Sequence, residues 1–196
     1  MKTAQQHMKQ AILFSLMSIF SYATYAQNWQ LAEKSEVGFR IQSLGLKIVE
    51  GKFNQVDAQL WFDEKNLGRA STQFTLYVDG LSLSKPSLAP MIMGKDLFDA
   101  AQFKTVQFKS TQFRAKGQQR YDIIGQLSLR GVTRTVRFDA VIRPDSHSPQ
   151  RLWVNAQTKI ARSDFGMRKA VGQVGEHVDI YLKGDWKVST NSASFK

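Results

Sequence analysis

Residues Gly125 to Ile142 read GQLSLRGVTRTVRFDAVI, two runs of alternating apolar and polar side chains joined by a basic turn. In an extended chain successive side chains point to opposite faces, so Leu127 and Leu129 share one face with Gln126, Ser128 and Arg130 on the other. In the second run Val136, Phe138, Ala140 and Ile142 oppose Thr135, Arg137, Asp139 and Val141. Gly131 supplies backbone freedom for a turn, and the β-branched Val132, Thr133 and Thr135 favour pleated structure. This is a β-hairpin with one wet and one dry face.

The same period of two recurs on both sides of the hairpin. Upstream it carries Val37, Phe39 and Ile41, then Leu44, Leu46 and Ile48, then Val56 to Phe62 and Ala70 to Val78, with Val106 and Phe108 leading to Phe113. Downstream it runs from Leu152 to Ile160 and from Val178 to Val188. Eight or nine short strands result, divided by turn clusters at Asp63–Asn66, Ala115–Gln119 and Pro144–Pro149. Leu88 to Gln102 breaks the pattern: Pro90 suits a first helical position, and Met91, Ile92, Leu97, Phe98 and Ala101 lack strand spacing. One or two short helices across a barrel mouth are expected there. Short antiparallel strands at this spacing make a closed barrel or a sandwich, and closure removes exposed edges.

The first 26 residues stand apart. Lys2 and Lys9 are their only charges, Ala11 to Phe20 is apolar, and Thr24-Tyr25-Ala26 offers small residues of the kind a signal peptidase accepts. The expected organisation is a cleavable signal over residues 1–26, with cleavage after Ala26 and Ala23 as the runner-up, followed by a single domain over 27–196. The apolar run is about half the roughly 20 residues that a membrane-spanning helix needs. The chain has no cysteine, so neither a lipid-modified N-terminal cysteine nor a disulfide is available, and stability rests on burial.

Lys and Arg number 27 against 16 Asp and Glu, a formal net charge of +11. Most of the excess sits at outward strand positions or turns, among them Arg40, Lys52, Arg114, Lys116, Arg130, Arg137, Lys183 and Lys187. A solvated face explains this, and attraction to an anionic membrane surface is the sharper reading. Export argues against nucleic acid.

An eight-stranded barrel is just wide enough to be filled by side chains or to hold one small ligand. The inward sets include small residues, Ala58, Ala70, Thr72, Gly125, Ala140, Ala156, Thr158 and Gly184, which leave room unless the glycines mark bends. Catalytic motifs are scarce. His147 and His177 have no partners at metal-ligand spacing. Gly80-Leu81-Ser82-Leu83-Ser84 lacks the second glycine of a nucleophile elbow, and Asp164-Phe165-Gly166 lacks every other kinase element. No enzyme, no metal and no cofactor are expected. Arg162 and Asp164 are read as structural, with Asp164 bonding backbone amides in a turn.

Seven segments occur together in one order: Ser35–Phe39 (SEVGF), Val49–Phe53 (VEGKF), Leu97–Ala100 (LFDA), Phe108–Thr111 (FKST), Gly125–Arg134 (GQLSLRGVTR), Arg162–Met167 (RSDFGM) and Val174–Val178 (VGEHV). In this the chain resembles the YceI-like family over Trp29 to Lys187. The resemblance implies an all-β fold, an eight-stranded antiparallel lipocalin-like barrel with short helices near its mouth. It also implies a periplasmic location, a polyisoprenoid or isoprenoid quinone held in the interior, and no enzymatic activity. The implied partners are that isoprenoid lipid or a similar amphiphile, a membrane b-type cytochrome, and transiently an anionic membrane surface, with a homodimer admitted. Many members carry a histidine where this chain has Ser43, and Arg-Asp-x-His-Leu where it reads Leu88-Ala89-Pro90-Met91-Ile92. Any role tied to those histidines does not transfer, and the entrance is expected to be greasier.

The expected ligand-binding wall is Phe39, Ile41, Phe74, Leu76, Val78, Phe108, Leu127, Leu129, Phe138, Val154 and Ile180, with Met91, Met93, Leu97 and Phe98 as lid. Methionine adapts to an irregular tail as readily as it plugs a core.

Overall fold

The computed structural model describes residues 27–43, 46–167 and 175–189, and at 43–48 the backbone only, where it is described at all. The expected signal over 1–26, Leu44, and the side chains of Leu46 and Ile48 lie outside the described residues. The described residues form eleven strands: β1 (Gln27–Leu31), β2 (Glu36–Ser43), β3 (Leu46–Phe53), β4 (Val56–Phe62), β5 (Ser71–Tyr77), β6 (Leu81–Leu83), β7 (Thr105–Gly117), β8 (Arg120–Leu129), β9 (Val132–Asp145), β10 (Ser148–Ala161) and β11 (His177–Val188). A five-residue helix, α1 (Ala89–Met93), with Pro90 in its first turn, is preceded by a 3₁₀ turn at Pro86–Leu88. Every pairing is antiparallel.

Eight strands close into a barrel in the order β1-β4-β5-β7-β8-β9-β10-β11, and β11 returns to β1 through Trp29 opposite Val188. Along the edge away from β10, the long β11 serves two partners, β2 along Val178–Lys183 and β1 along Trp186–Val188. Between them the chain bends at Ser35, whose Oγ donates to the Asp185 carbonyl at 3.2 Å. Gly184 permits this: a Cβ there would lie 2.3 Å from the Ser35 Cβ. β3 and β6 extend the sheet from β2 beside the mouth.

The opening hairpin folds as the pattern predicts. Arg130 and Gly131 both have positive φ, 53° and 73°, a two-residue turn that aligns Leu129 with Val132. Its dry face is buried at Leu127, Leu129, Phe138, Ala140 and Ile142. Between Phe108 and Phe113 the inward positions change parity because a register shift falls between Ser110 and Gln112, where an extra residue turns the strand over. The turn expected over Pro144–Pro149 is tighter, with Asp145 opposite Ser148 and the strands running through both prolines.

On the outer face, β2, β3 and the barrel strand β11 are tied by a polar cluster. Arg40 Nε donates to Glu50 Oε1 at 3.0 Å, and the Tyr181 hydroxyl donates to the same oxygen at 3.1 Å. The Arg40 guanidinium lies 4.1 Å from the Tyr181 ring centroid. Burial, and then the Glu50 carboxylate, push the Tyr181 phenol up to about 12. A tyrosine pKa raised by folding contributes stability that is complete below its ordinary value of about 10 and is lost as pH rises through the folded value. An ultraviolet phenolate titration of the folded protein should therefore show a late step near pH 12 that Tyr181→Phe removes. If the substitution leaves the titration unchanged, Tyr181 is not held this way.

Candidate functional site: a lidded apolar cavity

The barrel mouth is covered by two segments. From α1 onward, Ile92, Leu97 and Phe98 turn inward; from the 3₁₀ turn Arg162–Phe165 and beyond, Phe165 and Met167 are buried. Arg130, in the β8–β9 turn, fastens both. Its Nη1 donates to the Gly166 carbonyl and its Nη2 to the Lys95 carbonyl at 2.6 Å. One guanidinium fork thus satisfies carbonyls from two lid segments remote in sequence.

Beneath the lid lies a cavity walled by Phe39 and Ile41 of β2, Phe53 of β3, Phe74 and Leu76 of β5 and Val106 of β7. Leu127 and Leu129 of β8, Ile160 of β10, and Val178 and Ile180 of β11 complete the wall. Its free volume is about 50 Å³, enough for a few water molecules but not for several prenyl units unless side chains move aside. Deeper in the barrel a second void of about 30 Å³ is bounded by Leu60, Thr72, Ile123, Phe138, Val154, Ala156 and Trp186 among others. Phe74 borders both. Its ring stacks on Phe108 at 5.1 Å and 19°, and Phe138 meets both rings edge-on at 6.1 and 5.0 Å. Three aromatic rings form a floor between upper and lower space.

Of the expected wall and lid, Phe39, Ile41, Phe74, Leu76, Leu97, Phe98, Leu127, Leu129 and Ile180 line the upper cavity. Phe138 and Val154 line the lower one, Phe108 sits in the floor, and Val78 is buried in a 3₁₀ turn beside the barrel without facing either space. Met91 and Met93 do not line the cavity; they are half-buried against the core while Ile92 between them turns in, as consecutive helical positions must. Two of the small inward residues leave no room. Beyond Gly184, a Cβ on Gly125 would meet Phe108 Cζ at 2.5 Å, so the aromatic ring already occupies that space.

Among the described residues lining the upper cavity, Arg162 is the one charged side chain, and it is 1 % exposed. Its Nε donates to the Gly175 carbonyl at 2.8 Å, its amide N donates to the Glu176 carbonyl at 2.9 Å, and the Ser163 amide donates to Glu176 Oε1 at 3.1 Å. Burial lowers the guanidinium's pKa from its ordinary value, against the raising influence of the Glu176 carboxylate. Arg162 and Glu176 tie this turn to the segment before β11, and Asp164 is exposed on it. Periodicity put Val106 and Ile160 on inward strand faces without marking them as wall, and it had no means of placing Arg162, Phe53 or Met167 there. Among the described residues no three His, Asp or Glu side chains gather as a metal site.

The family model for the YceI-like domain matches residues 29–185. The chain belongs to the YceI-like family. It is 26% identical to the Escherichia coli O157:H7 Protein YceI over 184 residues, covering 89% of this chain and 96% of that one. It is 28% identical to a UPF0312 protein of Photorhabdus laumondii over 149 residues, 74% of this chain and 77% of the relative. Among solved structures, Burkholderia cenocepacia BcnA superposes with a TM-score of 0.71 at 23% identity, covering 79% of this chain and 98% of BcnA. A polyisoprenoid binding domain from Saccharophagus degradans does so at 0.61 and 12% identity, covering 84% and 99%. These likenesses show that the barrel is of the YceI-like kind, with one short helix.

Proposed function

We propose that this YceI-like chain is a periplasmic, non-enzymatic binding protein that holds a polyisoprenoid or an isoprenoid quinone in the barrel interior, as carrier or buffer. The observation that carries the reading is the apolar cavity beneath a two-segment lid at the mouth of an eight-stranded barrel. The Saccharophagus degradans relative, described as a polyisoprenoid binding domain, supports it by analogy of fold. Each buried methylene contributes about 0.8 kcal/mol, so a five-carbon unit contributes roughly 4 kcal/mol, against which stands the cost of ordering the tail. The ligand enters by displacing lid side chains rather than by filling a ready-made hole.

Loading from a membrane fits the lid's outer side. Half-buried Leu88, Met91 and Met93 lie in a segment that also carries exposed Lys85 and Lys95, a combination suited to an anionic bilayer surface. A second reading, an adaptor docking on a membrane b-type cytochrome through its basic surface, draws on the narrowness of the cavity and the net charge of +11. Mass spectrometry of organic extracts from the purified native protein separates the two. Near-stoichiometric prenyl lipid is the expected result; folded protein that yields none would overturn the carrier reading in favour of the adaptor.

A further inference from the structure

A concavity larger than the cavity beneath the lid lies outside the barrel. It is a groove of about 700 Å³ on the outer face of β1, β4, β5, β7 and β8. Its floor is built by strand register. Gln30 stands opposite Gln59, Gln59 opposite Gln73, Gln73 opposite Lys109, and Lys109 opposite Gln126, one residue from each of five neighbouring strands. A parallel row runs from Asp57 through Thr75 and Gln107 to Ser128. Gln73 Nε2 donates to Gln59 Oε1 at 3.1 Å, which holds neighbouring amides in line.

The chemistry of these rows differs from the other wet faces of the barrel. On β8 and β9, solubility comes from charges in ion pairs: Asp122 with Lys116 and Arg137, and Asp139 with Arg120. Along the groove the nine outward positions hold five glutamines, a serine and a threonine, with one carboxylate and one ammonium. A carboxamide offers two N–H donors and a carbonyl acceptor in one plane, which matches paired hydroxyl groups that each donate and accept. Being neutral, it surrenders its water far more cheaply than a charge does. Neighbouring strands lie about 4.8 Å apart, close to the advance of an extended glycan per pyranose ring. A glycan laid across the strands meets about one amide per sugar.

Aromatic rings flank the rows along the strands. Trp61 is half-buried on the same face as Gln59, two positions along β4, and Tyr77 lies at the other end of β5, its hydroxyl donating to Asp57 Oδ2 at 2.8 Å. Such rings present apolar faces that suit the C–H faces of sugars.

We infer that this outer groove binds a neutral, extended glycan chain, a site separate from the lipid cavity and independent of the reading proposed for it. The amide rows hydrogen-bond ring hydroxyls. A charged or membrane partner fits poorly, because the groove carries almost no charge of either sign.

Native gel electrophoresis toward the cathode, in gels containing hydroxyethyl cellulose, galactomannan or dextran, tests this on the folded chain, with calorimetric titration of cellohexaose and chitohexaose. Retardation by at least one polysaccharide is expected, and Gln73→Ala with Gln107→Ala should weaken it tenfold or more. The double variant should keep its melting temperature and its mobility in glycan-free gel. Gln157→Ala, on the exposed face of β10, should change nothing. The inference is overturned if none of these probes binds, if the double variant binds as before, or if the retardation disappears with moderate salt and so reflects net charge alone.

Discussion

Arg162→Met should lower the stability of the folded chain by about 3–5 kcal/mol, the usual consequence of removing one partner from a buried charge system. The methionine fills much of the volume, so the loss is electrostatic and not one of packing. The Gly175 carbonyl, which accepts from Nε at 2.8 Å, loses its donor, and the Glu176 carboxylate loses the buried cation that it favours. For a chain of this size each kcal/mol shifts the melting temperature by about 2–4 °C, so a drop on the order of 10 °C is expected by circular dichroism. Arg162→Lys keeps a charge but not the planar fork, and should fall between. A melting temperature within a degree of the parent for Arg162→Met would show that the turn at Arg162–Phe165 is held by its apolar residues alone.

Such an arginine is hard to read from sequence. Its neighbours Ser163 and Asp164 make a polar turn, and arginine is among the residues least often buried. The guanidinium is held by the Gly175 carbonyl and the Glu176 carboxylate of the segment before β11, a relation that no local spacing reveals. Arg130 repeats the point: at an outward position of a hairpin, it is bonded to carbonyls 36 and 35 residues away.

What is local was legible. The alternation of Gly125 to Ile142 and the Arg130-Gly131 turn place each side chain on its correct face, since period two and turn chemistry act over a few residues. The division of labour along β11, and the register shift in β7, depend on which strands meet, and closure is a property of the whole sheet. Volume was the least legible quantity. Small residues at Gly125 and Gly184 suggested space, but Phe108 and Ser35 already fill it. The glutamine rows were visible only as polar positions on separate strands, and became a groove when register set them side by side.

Phe74→Ala should join the upper cavity to the lower void and lengthen the space available to a tail. Phe74 is the residue that borders both, and its ring forms the floor with Phe108 and Phe138. Removing a buried phenylalanine costs about 3–5 kcal/mol, more where the surroundings fail to collapse into the gap. The two outcomes are therefore linked. If Phe108 and Phe138 keep their places, edge-on at 5.0 Å, the destabilisation is near the top of that range and the extracted lipids carry tails longer by one or two prenyl units. If the rings collapse, stability falls less and the lipid profile stays as in the parent, which would sink the idea that Phe74 sets tail length. Phe74→Leu removes less of the ring and provides the same comparison should the alanine variant fold poorly. The floor faces the same apolar chemistry on both sides, with Leu76 and Leu127 above and Ile142 and Leu182 below. Moving it changes how long an apolar chain fits without changing which kind, so the class of lipid extracted should be unaltered in either variant.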